Sequence, residues 1–282
     1  ADELFAGYPT YIGNRVAEIY NRIPRPITNA GVKAALKLTP VSMGNIAFDY
    51  LLSRFVSAAE QDLVERHHTW FGSYSPAMQQ AVLAPRVIEA LVGDDPFGTA
   101  RSRIAGKNLP DSLAKLLYMD FTMYLQDDLL TKVDRATMLA SLEARAPFLD
   151  HDLSEFSAGL PSSLKLKGKS TKDILKKTVR HRLPVDVIKR RKRGFNIPFS
   201  KWLLHGLGDE YRRRFSAERV EARGLFDASG INALLDEHLA EKTDHRKPLF
   251  TLLAFDLWCD ATFGEGVKIP IGDPAETEDL SK

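Results

Sequence analysis

YLQDDLLTKVDRATMLASLEARAPFLDHDL, residues 124 to 153, decides the class of fold. Asp128, Lys132 and Arg135 stand four and three residues apart, which places them on one helical face and leaves Leu130, Val133 and Ala140 to pack elsewhere. The stretch predicts a helix that begins at Asp127 or Asp128, runs to about Glu143 and is stopped by Pro147. The same spacing of apolar residues recurs on both sides. Asp111 after Pro110 is a good N-cap for a helix carrying Leu113, Leu116, Leu117, Met123 and Leu125. Residues 9 to 40 read as a helix with a Pro-rich connection near Pro24 and Pro26, 48 to 71 as one long helix or two, and 75 to 91 as another. Ser170 with Asp173 three residues on has the form of a capping box opening a helix to His181, which Leu183-Pro184 ends. Further helices are expected at 208 to 221, 229 to 241 and 247 to 263. Alternating Val, Ile and Thr runs are nearly absent, so the fold is expected to be mainly α.

The 282 residues are 44% hydrophobic and 27% charged, the composition of a globular chain rather than of a disordered or fibrous one. No apolar run approaches the roughly 18 residues of a bilayer span, so no membrane association is expected. The lone Cys259 can close no internal disulfide, which fits a reducing compartment and a cytoplasmic location. The chain opens at Ala1 without a methionine and is expected to be part of a longer protein. No repeat or internal shift of composition marks a second domain. Residues 1 to 265 read as one domain portion, and the acidic 266 to 282 as a disordered tail.

The net charge of +2 hides an imbalance. Residues 165 to 193 hold thirteen Lys or Arg against two acids, Asp173 and Asp186. Such a segment attracts phosphates, although a solvated helix face with a basic loop accounts for the same letters. Gly168-Lys169-Ser170-Thr171 resembles the end of a phosphate-binding P-loop, but Ser163 stands where that loop needs its first glycine, and no buried strand precedes it. A turn and a helix cap explain it better. His67 and His68 lie on different helix faces with no spacing that completes a metal site, and are expected at the surface. No G-x-S-x-G elbow supports a serine hydrolase. Glu143, Arg145 and Asp150 alternate with groups that look buried, and an ion-pair network is expected there. The segment Lys192-Arg193-Gly194-Phe195 could form a loop that brings a lysine over phosphates.

Together these pieces resemble the synthetase domain of glutamine-hydrolysing asparagine synthetases. The resemblance rests on DELFAGY at 2 to 8, the stretch 124 to 153 quoted above, LPSSLKLKGKSTKDILKK at 160 to 177 and KRRKRGFNIPFSKWL at 189 to 203, in the family's order and approximate spacing. It implies the helical C-terminal half of an α/β, PP-loop ATPase-like synthetase domain. It also implies an ATP-dependent amidation: a carboxylate, aspartate in the namesake enzyme, is adenylated with loss of pyrophosphate, and ammonia then displaces AMP. By the same resemblance Asp2 helps to hold magnesium and pyrophosphate, Lys192 stabilises charge on the reacting centre, and Lys172 and Arg193 join the pyrophosphate side. Asp128 is carried over as a catalytic residue, with Glu3, Lys132 and Asp134 beside it on the acceptor side. The cofactors implied are ATP and Mg.

The family's N-terminal glutaminase domain and its S-G-G-x-D-S loop on a parallel sheet are absent from these residues, so both are expected partners from the rest of the protein. The chain alone is expected neither to hydrolyse glutamine nor to bind ATP well. Aspartate and glutamine-derived ammonia are the implied substrates, and a homodimer is compatible with the reading. Related enzymes that amidate other carboxylates or close lactam rings remain as alternatives. A basic helical nucleic-acid-binding protein is another, although it lacks a reading motif and interleaved aromatics.

Overall fold

The computed structural model describes residues 1–24, 26, 55–190 and 197–269. The chain divides into two compact units: Ala1–Thr28, Ala58–Trp70 and Pro96–Gly194 form the first, and Asn29–Ser57, Phe71–Asp95 and Phe195–Lys282 the second. Both are helical, as expected. Among the described residues, one two-stranded ladder pairs Leu166–Lys167 with Ser170–Thr171.

The first unit packs the helices Pro9–Tyr20, Leu63–Phe71, Gly98–Ile104 and Ser112–Met119 around Ala6, Tyr11, Val64, Ala100, Leu116, Leu117, Met119 and Leu166. Asp111 caps as its sequence predicts, its Oδ1 accepting from the Ala114 N–H at 2.8 Å. The helix expected to begin at Asp127 or Asp128 does not begin there. Ser112–Met119 runs on without a break into a π-helical stretch, Asp120–Leu130, and then into Thr131–Met138. Between Asp111 and Pro147 the chain has no Gly or Pro to force an end. The exposed Asp127 and Asp128 are solvated and are not needed as caps.

The run also ends sooner than Glu143. Ser141 adopts a left-handed φ of 55°, and the Leu142 N–H returns to the Thr137 carbonyl at 2.9 Å. Leu130 and Val133 stay exposed, and no residue of Thr131–Met138 is buried. Residues 143 to 148 and Asp150 are exposed too: Glu143 and Arg145 form a solvated pair at 2.8 Å, while Asp150 instead caps the helix His151–Gly159.

The second unit surrounds Val82, Phe199, Leu203, Tyr211, Phe215, Ile231, Leu235, Leu249 and Leu252. Pro85 breaks the helix expected over 75 to 91 into Pro76–Val82 and Pro85–Ala90, and Ser216, as a new cap, divides 208 to 221 into Gly208–Arg214 and Ala217–Arg223. The helices at Ala228–Leu239 and Arg246–Phe263 lie within a residue of their expected starts. Arg214 and Arg223 reach the last helix through ion pairs to Asp256 at 2.6 and 3.2 Å. Arg223 is 3% exposed and also pairs with Asp260, so loss of both acids would leave a buried charge unpaired.

Gly230 marks the tightest approach in this unit. A Cβ there would lie 1.7 Å from the Ala81 carbonyl oxygen. Backbone cannot swing aside as a side chain can, so Gly230→Ala is expected to destabilise the protein by about 1 to 3 kcal/mol in urea unfolding. An unchanged midpoint would show that the two helices separate freely.

Candidate functional site

DELFAGY folds into a single turn with a sharp exit. Helix Asp2–Phe5 ends at Ala6, whose φ of 56° is left-handed, and the Gly7 N–H closes on the Asp2 carbonyl at 2.8 Å. The LKLKGKSTK segment forms the facing wall. Leu166 pairs with Thr171 and Lys167 with Ser170 across a tight turn in which Gly168 takes a φ of 58°, so the letters GKST make a hairpin and not a P-loop. Ser170 is therefore in the ladder and does not cap the following helix. That helix, Asp173–Val179, begins after Lys172, which holds a left-handed φ of 55°.

Two non-glycine residues in the left-handed region thus face each other, and the Lys172 N–H donates to the Phe5 carbonyl at 3.0 Å. Each costs about 1 to 2 kcal/mol and persists only where its surroundings impose it. The result is an ion pair between Lys172 Nζ and Asp2 Oδ1 at 2.8 Å, with side chains 24% and 13% exposed. Gly7 lies directly under it: a Cβ there would stand 1.8 Å from Asp2 Oδ1 and 2.3 Å from Lys172 Cε. Two residues singled out separately in the sequence are brought into contact, and the motif's glycine leaves room for them.

Glu3 points inward. It is 4% exposed, and the Tyr8 hydroxyl donates to its Oε1. The Tyr8 ring lies 5.8 Å from that of Tyr11 and 6.0 Å from that of Tyr124. Burial and the Glu3 carboxylate raise the Tyr8 phenol well above its ordinary range, so it stays a donor. Below it, the Tyr11 hydroxyl donates to Asp120 Oδ2 at 2.6 Å, and His67 Nε2 meets Asp120 Oδ1 at 2.8 Å. Asn14 joins His67 Nδ1 at 3.4 Å and accepts from Arg66 Nε at 2.8 Å. His67 is 1% exposed, contrary to the expectation of a surface residue. It falls three residues after Val64 on the apolar side of Leu63–Phe71, a signal present in the sequence, and Asp120 supplies the partner that its burial requires. Tyr8, Tyr11, Asn14 and Asp120 were not singled out by sequence.

Asp128 pairs with Lys132 at 3.7 Å, both more than half exposed, a contact worth about 0.3 to 0.5 kcal/mol. Its relation to the site runs through Tyr124, whose phenol is raised first by burial and then by Asp128, Glu3, Asp120 and Asp2. Asp134 is exposed on the same helical run. Lys192 and Arg193 lie outside the described residues. The basic run does not form one face: Lys165 is buried, its ammonium lowered by that burial, while Lys177 and Arg190 pair with Asp173 and Asp186.

Among the described residues, no group of three or more His, Cys, Asp or Glu is arranged to hold a metal ion. Asp2 offers one carboxylate, which suits magnesium, an ion commonly held by one or two carboxylates together with phosphates and water. In the second unit Ser200, His238 and Asp244 come together without forming a hydrolytic triad. The His245 N–H donates to His238 Nδ1 at 3.1 Å, so the ring proton sits on Nε2 and points at Ser200 Oγ, 3.2 Å away. That histidine cannot take the serine's proton.

A family model described as asparagine synthase matches residues 1–260. The chain belongs to the asparagine synthase family. The members named as asparagine synthetases are ligases, and the matched span contains both Asp2 and Lys172. A Mycobacterium tuberculosis protein named "Putative asparagine synthetase (glutamine-hydrolyzing)" is 30% identical over 275 residues, which are 97% of this chain and 40% of that protein. Asparagine synthetase (glutamine-hydrolyzing) 1 of Bacillus subtilis is 32% identical over 144 residues, covering 51% of this chain and 22% of the relative. Asparagine synthetase (glutamine-hydrolyzing) 3 of the same organism is 37% identical over 122 residues, covering 43% and 20%. The chain therefore spans less than half the length of the curated relatives it matches. No solved structure matches it significantly. Among the described residues, no helix is long and apolar enough to cross a membrane.

Proposed function

We propose that this asparagine synthase family chain is the helical part of a cytoplasmic synthetase that converts a carboxylate into an amide at the expense of ATP. The acceptor carboxylate attacks the α-phosphorus, giving an acyl-adenylate and pyrophosphate. Ammonia then adds to the acyl carbon, a proton is lost, and AMP leaves. Aspartate is the proposed acceptor and glutamine the source of ammonia. A glutaminase domain and a PP-loop sheet would come from the rest of the protein, with residues 1 to 265 contributing the helical wall.

The observation that carries this reading is the Asp2–Lys172 pair, presented at the rim of a strained turn over Gly7. Lys172 places a cation where a departing pyrophosphate accumulates charge, and an opposite charge at 4 Å is worth about 4 kcal/mol at an effective dielectric of 20. Magnesium, when bound, would neutralise phosphate charge, and Asp2 would offer it one oxygen. Lys192 and Arg193 would add cations to the pyrophosphate side. Asp128, with Lys132 and Asp134, would face the acceptor, while Glu3, carried over to the same side by the resemblance, would act from behind it through the Tyr8 hydroxyl.

The full-length protein is expected to release pyrophosphate and form asparagine when given ATP, magnesium, ammonia and aspartate. If aspartate gives no pyrophosphate while another carboxylate does, the acceptor is different and the adenylation chemistry stands. Silence with every carboxylic acid would remove the enzymatic reading altogether.

A further inference from the structure

Asp2 and Glu3 are adjacent acids on a four-residue helix, and Lys172 pairs with the first of them. Glu3 has the longer side chain, yet it is buried with its carboxylate on the Tyr8 hydroxyl. Tyr8 itself is fixed from two sides. Its ring packs between Tyr11 and Tyr124, and Tyr11 is anchored in turn by Asp120, which also engages His67.

We propose that Tyr8 is a positioning residue for the Asp2–Lys172 pair: it retains Glu3 in the interior so that Lys172 meets one carboxylate and keeps its remaining donors for a phosphate ligand. An ammonium has three donors, and each carboxylate that captures one weakens its attraction for a second anion. Without the Tyr8 hydroxyl, Glu3 would be a buried acceptor lacking that donor and would compete with the neighbouring Asp2 for the Lys172 ammonium. The proposal rests on the synthetase reading for its ligand class, pyrophosphate, but concerns binding rather than turnover.

The test uses the full-length protein and magnesium pyrophosphate as the probe, followed by calorimetry. Tyr8→Phe keeps the ring in its cage and is expected to weaken pyrophosphate binding about tenfold, the scale of one hydrogen bond to a charged group. Adding Glu3→Gln to Tyr8→Phe is expected to recover most of that affinity, because a neutral amide does not compete for the ammonium; a role confined to folding would show no recovery. A second measurement is acetylation of Lys172 by an amine-directed reagent, read by mass spectrometry, which is expected to slow severalfold in Tyr8→Phe. Unchanged affinity in Tyr8→Phe, no recovery in the double variant, or unchanged labelling would each overturn the proposal. A wild-type protein that binds pyrophosphate tightly but turns over no carboxylate would refute the proposed reaction and leave this inference standing.

Discussion

Lys172→Gly in the full-length protein is expected to lower kcat/KM for pyrophosphate release by about 10² to 10³, the usual effect of deleting one preorganised donor to developing negative charge. Its stability should change little, and the reason lies in the backbone. Lys172 sits at a φ of 55°, where a β-carbon costs about 1 to 2 kcal/mol and glycine costs nothing. Relief of that strain offsets the lost ion pair and the greater freedom of glycine in the unfolded chain, so the folding free energy should stay within about 1 kcal/mol of wild type. A lysine held where glycine would be easier is what a functional requirement for the side chain predicts. Steady-state kinetics and thermal unfolding on one preparation check both halves. Full activity in Lys172→Gly would place the pyrophosphate elsewhere, and a collapse of stability would make Lys172 structural.

Gly7→Ala is expected to have a comparable effect on activity through geometry alone. The methyl group would lie 1.8 Å from Asp2 Oδ1 and 2.3 Å from Lys172 Cε, so the two side chains must part. Lys172 can retreat because its far end is flexible, whereas Asp2 is short and fixed to its turn. The pair is therefore expected to open, with some loss of stability from the clash with Asp2, and kcat/KM should fall about a hundredfold. Groups that act as a unit are not additive, so Gly7→Ala together with Lys172→Gly should be no worse than Lys172→Gly alone. Multiplication of the two losses would show that Gly7 acts on something other than the pair.

The two residues also show how differently a site can be legible. Asp2 and Lys172 were singled out because the motifs around them resemble a family, and the structure places them 2.8 Å apart. Their contact could not be read from spacing, since 170 positions separate them and a two-residue turn at Gly168 and Lys169 delivers the lysine. Ser170 looked like a helix cap because Asp173 follows at the capping-box interval, but the ladder with Lys167 claimed it first. His67 was misplaced because two adjacent histidines suggest solvent, although Val64 three residues earlier marks the apolar side. Lys192, which the resemblance implies beside the reacting centre, lies outside the described residues.

What the sequence by itself determined is local. Helical periodicity, the absence of alternating strands and the Asp111 cap follow from interactions within a few residues of one another, which the chain order already contains. Tertiary structure decided the rest. It decided that His67 is buried, because Asp120, 53 residues away, meets its ring nitrogen. And it decided which of two neighbouring acids faces Lys172: burial makes an unpartnered polar group expensive, and only the folded chain shows where each partner stands.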